Sequence, residues 1–151
     1  MRQVTVPLPL VELLQDIGEI ARQQGMSAYA IGGCVRDWLL GIGNTPDIDV
    51  AVEGDGMQVA RAIADDRGGT VIAHPQFGTA TVTFHAPLQR LDVATCRKEI
   101  YARPAAYPKV LPGTLADDLS RRDFTINAMA MTVAHASFGT LIDLFEGARD
   151  L

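Results

Sequence analysis

Apolar residues recur near the start of the chain at Leu10, Leu13, Leu14, Ile17, Ile20 and Ala21, the spacing of one helical stripe, and the pattern stops at Gly25. It predicts a helix over residues 9–24. A short apolar run at 28–31 then meets two glycines, after which Val35, Trp38, Leu39 and Leu40 resume helical spacing up to Gly41. The reading is strand, tight turn, helix. Residues 47–53, DIDVAVE, predict a strand with Asp47, Asp49 and Ala51 on one face and Ile48, Val50 and Val52 on the other. Past Gly54, Asp55 is placed to cap a helix whose Val59, Ala60, Ile63 and Ala64 turn inward and which Gly68 and Gly69 stop. Short strands are predicted at 70–73, 79–84 and 88–95. Residues 97–113 hold three prolines and no clean period, and read as a mobile loop. Helices over 115–120 and 125–132 and a strand over 140–144 complete the order. Trp38, the phenylalanines, Ile126, Met129 and Ala130 read as packing. No repeat or linker is visible, so a single domain is expected.

Composition narrows this picture. A chain of 151 residues with 48% apolar and 21% charged residues can bury about 68–70% of its unfolded surface, enough for one core. There is no run of eighteen apolar residues, and MRQVTVPLPL lacks the charged-then-apolar plan of a signal peptide. A soluble, cytoplasmic protein with no membrane contact is expected. Cys34 and Cys96 read as reduced, partly buried thiols. His74, His85 and His135 have no ligand-like spacing and receive no catalytic role.

The chemistry concentrates in two neighbouring segments. Asp47 and Asp49 on one strand face, Cα atoms roughly 7 Å apart, repel unless a cation lies between them, and hard oxygen donors select Mg²⁺ or Mn²⁺. The alternative is a strand end with solvated acids. Upstream, Gly32 and Gly33 let backbone approach a ligand without a Cβ in the way, and the helix start behind them favours an anion. Arg36 adds a positive charge. The alternative there is a plain βα turn in which Arg36 pairs with Asp37 or with the aspartates of the next strand.

The stretches GGCVRDWLLG, DIDVAVEG, RLDVATCRKEIY and DDLSRRDFTINAMAM resemble, in order and spacing, the motifs of the class II tRNA nucleotidyltransferase and bacterial poly(A) polymerase family. The catalytic heads of that family belong to the DNA polymerase β nucleotidyltransferase superfamily. The resemblance runs from about Tyr29 to Leu151. VEGDG, HPQFGTATV and YARPAAYPKVLPG are most similar to the subgroup of longer enzymes with A-adding and CC-adding members. It implies an α/β (α+β) head, a small, mixed, mostly antiparallel sheet flanked by helices, spanning residues 1–151. On this resemblance the neck, body and tail domains that follow in the family, and that hold the acceptor stem, are expected to be absent from this chain. A net charge of −5 fits an RNA grip lying elsewhere, since phosphate contacts need Lys and Arg.

The resemblance also implies roles. Asp47 and Asp49 are the metal-binding and catalytic pair, and Asp92 is the third carboxylate, binding metal or orienting the primer hydroxyl, or else an edge-strand solubilising acid. Phe77, Gly78 and Thr79 form a structural turn. Arg122 takes the nucleotide, with the bidentate fork that suits phosphate. Arg121 and Arg122 project about 100° apart on a helix, so at most one faces a given ligand. Asp123 meets Arg36 or caps the next helix, and Asn127 donates to ribose or phosphate; a purely structural role serves as well for these two. The activity implied is template-independent transfer of CMP and/or AMP from CTP/ATP to the 3′ end of tRNA with release of pyrophosphate. Two Mg²⁺ ions about 3.5–4 Å apart activate the hydroxyl, with Mn²⁺ as a substitute. Gly32, Gly33, Arg36 and Arg122 hold the β and γ phosphates. The alternatives are a poly(A) polymerase, a superfamily member acting on a small molecule, or an isolated nucleotide-binding module without activity. The choice among CCA, CC, A and poly(A) addition, and the oligomeric state, stay open.

Overall fold

A computed structural model describes residues 2–44, 47–85, 90–104, 106 and 109–151. Helix α1 (Leu8–Gln23) begins behind Pro7, and its stripe of Leu10, Leu13, Leu14, Ile17 and Ala21 is buried. Then follow β1 (Ser27–Ile31), α2 (Gly33–Leu39), β2 (Asp47–Glu53) and α3 (Gly56–Arg67). Asp55 caps α3 by accepting from the backbone N–H of Gln58, and Gly68 ends it in the left-handed conformation that a Cβ disfavours. Strands β3 (Thr70–His74), β4 (Thr79–Thr83) and β5 (Arg90–Thr95) come next. Residues 88 and 89 of the expected third strand lie outside the described residues.

Two expectations are corrected. Residues 97–113 are not a bare loop: β6 (Arg97–Ile100) and β7 (Lys109–Pro112) pair antiparallel as a hairpin. A proline pattern hid it, because Pro112 stands at a strand end on an edge, where a missing N–H costs no ladder bond. The helix expected over 125–132 is a single 3₁₀ turn, Thr125–Asn127, followed by strand β8 (Ala130–Thr132). The apolar run of Ala128, Met129, Ala130 and Met131 is buried on all sides, a pattern that periodicity cannot assign to helix or strand. Helix α4 (Leu115–Ser120) is as expected and carries a capping box between Thr114 and Asp117. The last strand, β9 (Leu141–Ile142), is shorter than expected.

Among the described residues seven strands form one sheet in the order β3-β4-β5-β2-β1-β8-β9, antiparallel throughout except for the parallel β2–β5 pair. One face is covered by α1, α2 and α3 over Ile48, Val50, Val52, Leu91 and Val93. The other carries a smaller cluster of Ile31, Ala51, Cys96, Leu115, Leu119 and Ala130 under α4. The strict alternation of β2 is what splits these layers. Its even-numbered residues fill the larger core, while Ala51 and Glu53 meet α4 and Asp47 and Asp49 lie exposed beyond the helix. Trp38 is buried, and Phe84 and Phe138 pack on the core, but Phe77, Phe124 and Phe145 are exposed, against the packing role expected for every phenylalanine.

Candidate functional site

The parallel register sets Asp49 opposite Asp92 and Asp47 opposite Arg90. Asp92 is held from two sides: Thr81 Oγ1 donates to its Oδ1 at 2.8 Å, and Arg90 Nε lies 3.1 Å from Oδ2. Asp49 keeps access to solvent, yet burial raises its pKa above the ordinary aspartate value. The charge of Asp92 adds to the rise, Arg122 opposes it, and Asp47 raises it further. Asp49 therefore gives up its proton less readily than a solvated aspartate does. Cys34 lies beneath, donating to the Ile31 carbonyl at 3.5 Å, and burial pushes its thiol up to about 11.

Facing the acids is a set of cations braced by one asparagine. Arg36 Nη1 donates to Asn127 Oδ1 at 2.9 Å, and Arg122 Nη1 reaches the Asn127 carbonyl at 3.5 Å. Arg36 Nε also pairs with Asp37 at 3.1 Å, so the pairing offered as the plain alternative is present alongside the Asn127 contact. The glycine turn lies beside both guanidinium groups. A Cβ on Gly32 would stand 3.4 Å from Arg122 Nη1, and one on Gly33 would stand 3.3 Å from Arg36 Nη2. Gly32 has φ 78° and ψ −134°, and its N–H donates to the Met129 carbonyl at 3.0 Å.

A cleft of about 250 Å³ is lined by Asp49, Asp92, Asp118, Arg121 and Arg122. Asp47 stands two residues further along the same face, and Gly32, Gly33, Arg36 and Asn127 adjoin the cleft through Arg122. A larger cavity of about 420 Å³ lies between the β6–β7 hairpin, the Pro75–Phe77 turn and the start of α3, lined largely by apolar groups and without the acid pair. The carboxylates and arginines gather at the smaller cleft. Among the described residues no group of three or more His, Cys, Asp or Glu could enclose a metal ion. Asp47 and Asp49 can supply part of a hard-oxygen shell, the remainder left to a ligand and water, as Mg²⁺ commonly requires.

Two expectations change. Arg121 and Arg122 do share a target: both donate through Nη2 to Asp118 Oδ1 at 3.3 Å. Helix α4 ends at Ser120, which frees the two long side chains to converge. Asp123 is exposed and meets neither expected partner, since Arg36 is taken by Asp37 and Asn127 and the Thr125–Asn127 turn has no side-chain cap. Asn127 accepts from Arg36 through Oδ1, which leaves its amide N–H groups as the donors expected of it. Sequence reasoning passed over Asp118, although its spacing of three and four from the arginines is the spacing of helix-face ion pairs. Thr81 carried no signal, because its link to Asp92 exists only once β4 and β5 pair.

A family model described as the Poly A polymerase head domain matches residues 28–151. An A-adding tRNA nucleotidyltransferase of Geobacter sulfurreducens is 47% identical over 146 residues, which is 97% of this chain and 16% of that protein. A CC-adding tRNA nucleotidyltransferase of Deinococcus radiodurans is 43% identical over 139 residues, 89% of this chain and 36% of that one. A crystal structure of a tRNA nucleotidyltransferase complexed with a primer tRNA and an incoming ATP analog superposes with a TM-score of 0.74 at 42% identity. The match covers 89% of this chain and 36% of that one. The chain thus spans roughly a sixth to a third of the length of these relatives.

Proposed function

The chain belongs to the poly A polymerase head domain family, and from that premise we propose that it works as the catalytic head for transfer of CMP and/or AMP from CTP or ATP to the 3′ end of tRNA, with release of pyrophosphate. The observation that carries the proposal is a cleft lined by Asp49, Asp92 and Arg122, with Asp47 two residues along the strand from Asp49 and with Arg36 linked to Arg122 through Asn127 beside the glycine turn. The relatives act on tRNA by their names, and a structural neighbour holds a primer tRNA and an ATP analog, which supports this substrate class. The neck, body and tail are assigned to parts of the protein other than this head.

Nucleotidyltransferases of this family are generally divalent-metal dependent. Mg²⁺ is the proposed ion, with Mn²⁺ as a substitute, and the donor set fits: two aspartates on one strand face, one of them with a carboxyl pushed up by burial and by a like charge. When bound, the cation supplies Lewis-acid stabilisation of charge on the reacting phosphate. Asp47 and Asp49 would hold it. Asp92, steadied by Thr81 on Oδ1 and by Arg90 on Oδ2, orients the primer hydroxyl with the acceptor capacity its carboxylate has left. Arg36 and Arg122 receive the β and γ phosphates beside Gly32 and Gly33 and neutralise the charge that grows on the leaving pyrophosphate. The braced guanidinium groups are in place before the substrate arrives, which saves reorganisation at the moment of transfer. Among the described residues no helix is long and apolar enough to cross a membrane, and the cytoplasm is the proposed compartment.

The test mixes the chain with labelled ATP or CTP, Mg²⁺ and a tRNA lacking its 3′ end. Extension supports the transferase; saturable nucleotide binding without extension makes the isolated chain a binding module. No nucleotide binding with either cation refutes the site. Replacing Asp47 or Asp49 by Ala in the full-length enzyme is expected to abolish transfer with circular dichroism unchanged.

A further inference from the structure

Asp118 is the least exposed charged group among the described residues, 2% accessible, and it points at the cleft rather than away from it. Its Oδ1 accepts from both Arg121 Nη2 and Arg122 Nη2, and its Oδ2 accepts from the Arg97 backbone N–H at 3.1 Å, at the root of the β6–β7 hairpin. The helix that carries it is pinned at its other end, where the Leu115 N–H donates to Glu53 Oε2 at 2.8 Å. Glu53 is the last residue of the strand that bears Asp47 and Asp49. The carboxylate therefore has a fixed position relative to the acid pair.

We propose that Asp118 is a positioning residue that aims Arg122 at the nucleotide's β and γ phosphates, an inference that rests on the triphosphate reading of this site. Arg122 spends Nη2 on Asp118 and Nη1 on the Asn127 carbonyl, while its Nε is buried without a partner. A guanidinium gripped at two corners has its plane defined, with donor capacity left over for an anion. Without the Asp118 charge, the nearest carboxylates in the same cleft are Asp49 and Asp92. A released Arg122 would turn toward them, leaving the phosphates and masking the acids together. One ion pair would satisfy a buried aspartate whose duty was only structural; this one is shared by two cations that both line the cleft.

The test is a double-mutant cycle read by calorimetric titration of ATP with Mg²⁺ and, separately, of AMP, at a temperature well below the melting transition. D118N is nearly isosteric, and Arg121 and Arg122 keep about a quarter of their side-chain surface in solvent, so the variant is expected to fold. Loss of one charge-assisted contact gives an expected weakening of ATP of about tenfold in D118N, with AMP unchanged. R122A is expected to show the same selective loss, and D118N/R122A to be no more than about twofold weaker than R122A alone. I63V, a change in the core under α3, is the control for stability alone and leaves both ligands unmoved. An ATP affinity within about twofold of wild type in D118N, or fully additive losses, overturns the proposal while the site reading stands. Wild type that binds no ATP overturns both. If D118N does not fold, D118E carries the test: it keeps the charge but shifts it by a methylene. Threefold or greater loss of ATP supports positioning, and an affinity within twofold of wild type overturns it.

Discussion

Gly32→Ala separates the backbone demand of the turn from the ligand space beside it. At φ 78° and ψ −134° the residue lies outside every region open to an L side chain, and such backbone costs about 1–3 kcal/mol. The new Cβ would stand 3.4 Å from Arg122 Nη1, an ordinary contact, so the backbone term decides. Taking about 2 kcal/mol, and about 2–4 °C per kcal/mol for a domain near this size, the melting temperature should fall by about 4–8 °C. Gly33→Ala is the matched contrast. No positive φ is required there, Gly33 opens α2, and Ala is the better helix residue. Its Cβ meets the far end of Arg36 at 3.3 Å, which a flexible side chain relieves cheaply. The melting temperature should stay within about 2 °C of wild type, while ATP affinity falls because the methyl occupies the space that Arg36 and the phosphates share. Differential scanning calorimetry with ATP titration of each variant reads both quantities. Equal melting temperatures for G32A and wild type, or equal losses for G32A and G33A, would refute the reasoning.

Asp49→Asn should stabilise the metal-free chain at neutral pH. A carboxyl whose folded pKa is raised contributes stability that is present below its unfolded pKa and lost as pH rises through its folded pKa. The amide cannot ionise, so its melting temperature should exceed that of wild type near neutrality and the gap should close in acid; an equal gap at both pH values contradicts the shift. The same variant should lose Mn²⁺ binding in a paramagnetic titration. Cys34 and Cys96, pushed up to about 11 and about 12 by burial, should ignore a thiol reagent in the native chain and both react after denaturation. A thiol titrating in the native chain would count against their burial. Asn127→Ala removes the Oδ1 acceptor from Arg36 and should weaken pyrophosphate binding by about tenfold, the scale of a hydrogen bond to a charged group; an unchanged titration would mean that Asn127 braces nothing.

Much of this was legible in the chain because it depends on local rules. Alternation in DIDVAVE assigns Asp47 and Asp49 to a face of their own, and two glycines between an apolar run and a helical stripe can hardly be other than a strand-to-helix turn. The hairpin was illegible because Pro112 is harmless at the end of an edge strand, which is a property of the finished sheet. The strand β8 was illegible because a run buried on every side has no period to detect. Within the site, Arg36, Arg122 and Asn127 could be nominated from motif and residue type. That one residue braces both arginines, Arg36 on its side-chain oxygen and Arg122 on its backbone carbonyl, and that a buried Asp118 takes both members of an Arg-Arg pair, follows only from where α4 stops and how β1 meets β8.

The two halves of the cleft also explain one another. On the acid side, Asp49 is pushed toward its protonated form by burial and by Asp92 and Asp47. On the basic side, Arg121 and Arg122 share a single buried carboxylate, and each has an Nε–H buried without a partner. A buried donor left unpaired costs about 1–3 kcal/mol, and adjacent like charges add a cost of their own. Neither defect can be cured by the other half. Closing Arg122 onto Asp49 would strip Asp118 of a partner, and moving Asp118 would break its bond to the root of the hairpin. A ligand that carries anionic oxygens at one end and brings a cation at the other balances the paired arginines and the crowded acids in one event. On the proposed reading that ligand is a nucleoside triphosphate with its metal ion. Stability that the chain forgoes when empty then reappears as affinity for that one pair of charges in that one order.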